Sequence, residues 1–224
     1  MARKITQQNN FFYTTLALIA LLLSASLVKE MPDGVLEFII EAFTAVTFIV
    51  CIFSLRFDNV WYRFMATLLG GWMVAIIVRN VTDIEMMDNI ILILMFLFYG
   101  GTFRSIARQI LFTGPVDANK VIGSIALFLL MGLMWAIIYI LIVALSPHAF
   151  NGVEAAPWRE MMSQFAYFSF VTLTTLGYGD ISPATPFAQV IVYMEAIAGV
   201  FYMAIVVASL VSAGLAQTHE NQGN

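Results

Sequence analysis

The chain has 224 residues, of which 61% are hydrophobic and only 11% are charged. A soluble domain carries about 25% charged residues, so this composition excludes a water-soluble domain and also a disordered chain. The single cysteine, Cys51, excludes a disulfide framework and leaves too few thiols for a cysteine metal site. Nucleic-acid binding has no support, because 10 Lys and Arg stand against 14 Asp and Glu. An integral membrane protein remains.

Six apolar segments are candidate transmembrane helices, each close to the roughly 20 residues that cross the hydrocarbon core. The first, second, fifth and sixth are the stronger candidates. In the third, the unbroken apolar run starts only at Phe64, and in the fourth, charges follow Phe103. The run Ile90–Phe103 is therefore also compatible with a re-entrant or interfacial segment. The six segments are Phe11–Val28, Gly34–Leu55, Trp61–Val81, Ile90 to about Phe112, Val121–Ser146 and Phe187–Leu215.

Basic residues predict the orientation of these helices. A cytoplasmic N-terminus places most of the Lys and Arg residues on the inner side, as the positive-inside rule favours. Most acids then lie outside, where an electronegative face concentrates cations. Arg3 and Lys4 before the first apolar run are also compatible with a signal peptide, and its cleavage would leave the orientation of the later helices unchanged.

The connection Pro147–Pro186, between the fifth and sixth spans, is the most informative segment. After Pro157, the stretch Trp158–Thr172 is apolar and predicts a helix of about four turns, too short to cross a membrane. A glycine-containing stretch follows. Together they predict a half-helix that enters the membrane and returns as irregular backbone, which is tolerated there only if it is buried in protein or lines an aqueous cavity.

The residues after this helix, Thr174–Asp180, read TTLGYGD. The motif resembles the selectivity filter of tetrameric potassium channels, whose usual form is TVGYGD, with Leu176 in place of Val or Ile. The resemblance implies an all-α membrane protein with six transmembrane helices, a re-entrant pore helix and filter between the fifth and sixth, and a C4 homotetramer. It implies passive K⁺ conduction with no catalysed reaction, K⁺ as the permeant species and no cofactor.

The chemistry of the filter explains its residue types. A dehydrated K⁺ ion needs oxygens in place of its water shell, and rings of inward-pointing backbone carbonyls supply them. Such a backbone requires positive φ angles, which glycine adopts freely; this accounts for Gly177 and Gly179. By resemblance, the carbonyls of Thr175, Leu176, Gly177 and Tyr178 bind K⁺, with the Thr175 hydroxyl at the innermost site. Coordination through backbone oxygens should tolerate Leu176, which is expected to alter packing behind the filter.

Other residues are predicted to support the filter. Asp180 is expected at the outer mouth, and Thr174 at the junction with the pore helix. By resemblance, Tyr178 points away from the pore and braces the filter against the pore helix. Its candidate partners there are Trp158, Phe165 and Phe168.

Acidic residues inside the spans are functional candidates by default. Glu195, in the sixth span, is expected behind the filter, where bracing the pore helix is favoured over ion binding. Glu37 and Glu41, in the second span, suggest either a solvated outer crevice or counter-charges of a voltage sensor. An arginine-rich sensor is not expected, because the fourth span offers only Arg104 and Arg108 near its inner end. Candidate hydrogen-bond donors to Glu195 are Ser163, Ser169 and Thr172.

The sixth span also holds the candidate gating residues. Gly199 suggests either a hinge, by resemblance, or a small residue that permits close helix packing. One helical face carries either a hydrophobic inner gate or ordinary packing against the fifth span. Its residues are Ala208, Val211 and Leu215.

Three regions follow: a four-helix scaffold at residues 1–119, a pore domain at 120–217 and a short cytoplasmic tail at 218–224. The tail is too short for a regulatory domain, so gating is expected in the filter or inner helices, from lipid, or from a separate subunit. The resemblance suggests a multi-pass protein of a plasma membrane, of the bacterial inner-membrane type, with both termini cytoplasmic. A weakly selective cation channel and a non-conducting accessory subunit are the alternatives.

Overall fold

The computed structural model describes residues 10–27, 35–55, 59–82, 86–112 and 118–208. These residues are almost entirely helical, and the fold class is all-α as predicted. The elements in chain order are α1 (Asn10–Leu27), α2 (Val35–Ser54), α3 (Asn59–Thr82), α4 (Met86–Phe112), α5 (Ala118–Leu145), β1 (Phe150–Asn151), α6 (Trp158–Leu173), β2 (Ser182–Pro183) and α7 (Pro186–Phe201), which continues as a π-helical segment (Tyr202–Val207).

Helix length agrees with the strong predictions for the fifth and sixth spans but not with those for the first and second. Among the described residues, four helices are long and apolar enough to cross a membrane, namely Asn59–Thr82, Met86–Ile110, Ala118–Leu145 and Pro186–Ile205. The third and fourth spans, whose patterns are interrupted, are among them because both helices extend past the polar residues. The apolar helices Phe11–Ala25 and Ile39–Ser54, parts of α1 and α2, are shorter. Six complete crossings therefore remain a prediction.

Among the first four helices, α1 and α4 provide the main packing against the later helices of the same chain. α5 is central, because it contacts α1, α4 and α6 extensively. The Phe11 amide donates to Oδ1 of Asn119 at 3.3 Å, and the Thr15 hydroxyl donates to the Ile122 carbonyl at 3.2 Å. Because the two contacts advance together along both helices, α1 and α5 run parallel and start at the same end of the molecule.

Aromatic rings form the core of the scaffold, where α2, α3 and α4 meet. The Phe48 ring stacks on Phe98 with 3.8 Å between centroids and lies 5.3 Å from Trp72. All three side chains are buried. On the opposite face of α3, Val60, Val74 and other large apolar side chains are exposed. A wide apolar face without cover is what a lipid-facing helix presents.

Candidate ion-conducting site

The pore helix α6 matches the predicted segment, ending at Leu173 instead of Thr172. Its buried side packs on α5 through a cluster of four rings. The Phe165 and Phe168 centroids lie 5.9 and 5.2 Å from that of Tyr139. Phe150 closes the cluster at 5.1 Å from Phe165. Within the chain, Phe165 and Phe168 thus face α5 and not Tyr178, the residue predicted as their partner.

Backbone amides at the start of the filter point back to the end of α6. The Thr174 and Thr175 amides donate to the carbonyls of Phe170 and Thr172, both at 3.0 Å. The Leu176 and Gly177 amides both donate to the Val171 carbonyl, at 2.9 and 3.3 Å.

The direction of the carbonyls follows from these amides. The N–H and the C=O of one trans peptide unit point in opposite directions. The Leu176 N–H shares its peptide unit with the Thr175 carbonyl, and the Gly177 N–H shares its unit with the Leu176 carbonyl. Because both N–H groups point at α6, the carbonyls of Thr175 and Leu176 point away from it. These are two of the four predicted K⁺ ligands.

Every second residue of the filter lies in the left-handed region. The φ angles are +59° at Thr175, +58° at Gly177 and +79° at Gly179. The predicted positive φ angles of the two glycines are therefore present. The positive φ angle of Thr175 was not predicted, because β-branched residues rarely adopt this conformation. A strained conformation of this kind persists only where the surrounding structure fixes it and is concentrated at functional sites.

Tyr167 of the pore helix supports the outer half of the filter. Its ring is stacked on that of Tyr178, with 6.4 Å between centroids and 9° between planes. Tyr167 therefore takes the place predicted for the other aromatic residues. Trp158 is buried at the start of α6 beside Arg159, whose guanidinium carbon lies 5.6 Å from the indole ring.

The inner end of the filter begins with Thr174, whose hydroxyl donates to the Phe170 carbonyl at 2.6 Å and caps α6. From Thr174 to Asp180 every residue is exposed in the single chain. Leu176 and Tyr178 are 55% and 65% exposed.

A two-stranded antiparallel sheet, formed by β1 and β2, contacts the outer end of the filter. Phe150 and Asn151 pair antiparallel with Pro183 and Ser182. Gly152 follows this strand with a φ of +80°, and a Cβ atom on it would lie 2.0 Å from the carbonyl oxygen of Asp180. Only glycine fits so close to the filter backbone.

Gly152→Ala is expected to displace the outer end of the filter. The left-handed conformation alone costs an alanine about 1–2 kcal/mol, and the contact with the Asp180 carbonyl adds to this. We expect a lower melting temperature and, for the channel proposed below, weaker discrimination between K⁺ and Na⁺ in a flux assay. Glu154→Ala, at an exposed position in the same loop, is the control. Equal discrimination in both variants would show that Gly152 does not position Asp180.

Glu195 lies behind the filter, fully buried where three helices meet. The Tyr139 hydroxyl of α5 donates to its Oε2 atom, and the Ser169 hydroxyl of α6 bonds to its Oε1 atom. Ser169 also lies 2.9 Å from the Gly132 carbonyl of α5. Ser169 was among the predicted donors. Tyr139 was not, because nothing in the local pattern relates it to a residue 56 positions away.

Two further contacts on the same face fasten α7. Gly199 packs against the end of the pore helix, and a Cβ atom there would lie 2.3 Å from the Leu173 carbonyl oxygen. Tyr202 donates a hydrogen bond to the Ser124 carbonyl of α5. The close contact supports the packing interpretation of Gly199, and its hinge role remains a prediction.

The candidate inner gate is described only in part. Ala208 is exposed at the end of the described residues. Val211 and Leu215 lie outside the described residues, as does the tail 218–224. The π-helical segment Tyr202–Val207 precedes them and was not expected, since neither proline nor glycine marks it.

Comparison with known proteins points to one class. Residues 125–215 match a family described as "Ion channel". These residues contain α6, the filter and α7. The apolar helices and the ion-channel match together indicate a multi-pass membrane protein with an ion-channel domain in its C-terminal half.

A curated relative is more specific. The chain is 28% identical over 98 residues to "Two-pore potassium channel 5" of Arabidopsis thaliana. The aligned region covers 44% of this chain but only 22% of that protein, so the chain spans about a fifth of the relative it matches. No solved structure gives a significant match.

Proposed function

We propose that four copies of the chain form a potassium-selective channel that conducts K⁺ passively through their joined filters. The observation that carries this proposal is the filter backbone. Positive φ angles alternate at residues 175, 177 and 179, and the amides of Leu176 and Gly177 point at the pore helix. Carbonyls turned the opposite way can replace the hydration shell of a cation. Potassium is the ion proposed because of the TTLGYGD motif and the name of the Arabidopsis relative.

A closed ring of carbonyls requires several chains, because each chain contributes one filter strand. The exposure of this strand in the single chain supports a C4 homotetramer, a closed cyclic assembly. The matched residues 125–215 lie inside the proposed pore domain, residues 120–217. In this proposal the chain catalyses no reaction, needs no cofactor and uses α1–α4 as a scaffold.

The membrane arrangement belongs to the same proposal. Both termini are placed on the cytoplasmic side of a bacterial inner membrane. The start of α6 and the outer end of the filter then lie on the opposite side of the membrane. The parallel course of α1 and α5 agrees with the alternating directions that six crossings require. Gly199 is the proposed hinge, and Ala208, Val211 and Leu215 are the proposed inner gate. Regulation by lipid or by another subunit is compatible with this arrangement.

The zero-current potential of the purified protein in a planar bilayer tests the proposal. With K⁺ on one side and Na⁺ on the other, we expect a value near the potassium equilibrium potential. A value near zero with current flowing would indicate a weakly selective cation channel. A protein that passes no current under any applied voltage, lipid or pH would support a non-conducting subunit.

Leu176→Val tests whether the departure from the usual motif affects selectivity. Since the Leu176 carbonyl, rather than its side chain, is the proposed ligand, we expect discrimination between K⁺ and Na⁺ to change by less than about tenfold, or 1.4 kcal/mol. The same zero-current measurement gives the result. A strong gain in selectivity would show that the leucine side chain loosens the filter.

A further inference from the structure

Four charged residues form a cluster where the scaffold meets the start of the pore helix. Glu41 of α2 lies between two arginines: its Oε1 atom is 3.0 Å from Nη2 of Arg79 and 3.3 Å from Nε of Arg159. Arg79 of α3 also lies 3.7 Å from Asp88 of α4. Arg159 is the second residue of α6. The cluster therefore joins three scaffold helices to the pore helix of the same chain.

Because the two arginines are buried, their stability depends on the Glu41 carboxylate that they share. The side chains of Arg79, Arg159 and Glu41 are only 10%, 8% and 13% exposed. A buried charge without its partner is strongly destabilising. Arg159 carries a second penalty, because a cation in the first turn of a helix opposes the helix dipole. Glu41 offsets both penalties, and it is the residue that the two arginines share.

The pore helix is otherwise held mainly by its own pore domain. Its apolar side packs on α5, and its far end contacts Gly199 of α7. From the scaffold, α6 is also contacted by α1, and the ion pair between Glu41 and Arg159 adds a charged contact from α2. Any movement of α2 relative to α5 would be transmitted through this pair to the first turn of α6, the other end of which carries the filter.

We propose that Glu41 is a positioning residue for the filter: through Arg159 it fixes the start of the pore helix and so couples the scaffold to conduction. This inference rests on the proposed channel function. The α1–α4 region would then position the pore helix in the conducting state. This role differs from that of an arginine-rich voltage sensor and from that of a passive lipid-facing support.

The pair can be tested with neutral variants that keep the size of the side chains. Glu41→Gln, Arg159→Gln and their double variant are reconstituted as full chains in liposomes, and K⁺ flux is measured per folded tetramer. We expect each single variant to lower the flux about tenfold, within the coupling range of residues in one ion-pair network. The double variant should be no worse than either single variant, because both changes remove the same interaction.

Arg79→Gln is the matched control. It removes the partner of Glu41 inside the scaffold but leaves the pair with Arg159 in place. We expect a lower melting temperature with flux per folded tetramer close to that of the unchanged chain. A purely structural role of the cluster would instead make flux follow stability in all variants. Hydrogen exchange of the peptide covering residues 158–173 is measured in parallel and should be faster only when the pair with Arg159 is broken.

The outcomes separate this inference from the proposed function. Unchanged flux in Arg159→Gln overturns the inference while leaving a potassium channel in place. An unchanged chain that passes no K⁺ overturns the proposed function, and exchange at residues 158–173 then decides the inference on its own. Equal exchange in Arg159→Gln and the unchanged chain would show that the scaffold does not hold the pore helix through Glu41.

Discussion

Glu195→Ala is expected to be among the most destabilising single changes in the pore domain. It would leave the Tyr139 hydroxyl buried without its partner, whereas the Ser169 hydroxyl would keep the Gly132 carbonyl. A buried hydroxyl without a partner costs about 1–3 kcal/mol, so this loss alone should lower the melting temperature by roughly 2–12 °C. Thermal unfolding followed by size-exclusion chromatography of the detergent-solubilised protein measures this shift.

Glu195→Gln separates the hydrogen bonds from the charge. The amide keeps the size of the side chain, accepts from Tyr139 and can exchange a hydrogen bond with Ser169. We therefore expect a shift of only a few degrees. If glutamine is as destabilising as alanine, a formal charge is needed at this position, and the hydrogen bonds alone do not explain how Glu195 braces the pore helix. If alanine is tolerated, the three-helix junction does not depend on Glu195.

Gly199→Ala is expected to separate α7 from the pore helix α6. The added Cβ atom would stand 2.3 Å from the Leu173 carbonyl oxygen and 2.9 Å from its Cα atom. Because these are backbone atoms, α7 would have to move by about 1 Å, and overpacking of this kind costs about 1–3 kcal/mol. Leu173 is the last residue before the filter region, so we expect both a lower melting temperature and loss of K⁺ flux.

Gly70→Ala is the matched control for this change. It is also a glycine within a membrane helix, but nothing lies within 4 Å of the added Cβ atom. Alanine favours the helix there by about 1 kcal/mol, so stability should be unchanged or slightly higher. The hinge interpretation of Gly199 predicts a different result: Gly199→Ala would fold normally and alter only the opening of the channel.

Much of the fold could be predicted from the sequence because the determining signals are local. Apolar runs, Pro157 and the motif Thr174–Asp180 predicted the bounds of the described helices to within a few residues and the positive φ angles of Gly177 and Gly179. The predicted end of the sixth span, Leu215, lies outside the described residues. Such features depend on a short stretch of chain and on the demands of the bilayer.

The contacts that position the site could not be predicted in the same way. A uniformly apolar helix has no clear amphipathic pattern, so its rotation about its own axis is not encoded in a hydrophobic stripe. This rotation decides that Tyr167, rather than Phe165 or Phe168, faces Tyr178. It also brings Tyr139 to Glu195. The charged cluster is a related case, because burial of Arg159 against the scaffold depends on how two separate helix groups dock.

The exposed filter strand has a consequence for mixed populations of subunits. In the proposed ring of four, one altered chain would change the coordination that the other three share, so a defect in the filter would not be diluted by normal copies. If normal and defective chains were made in equal amounts and assembled at random, only about one ring in sixteen would contain four normal strands. Changes at Thr175 to Gly179 would then act dominantly, whereas loss of the whole chain would merely reduce the number of channels.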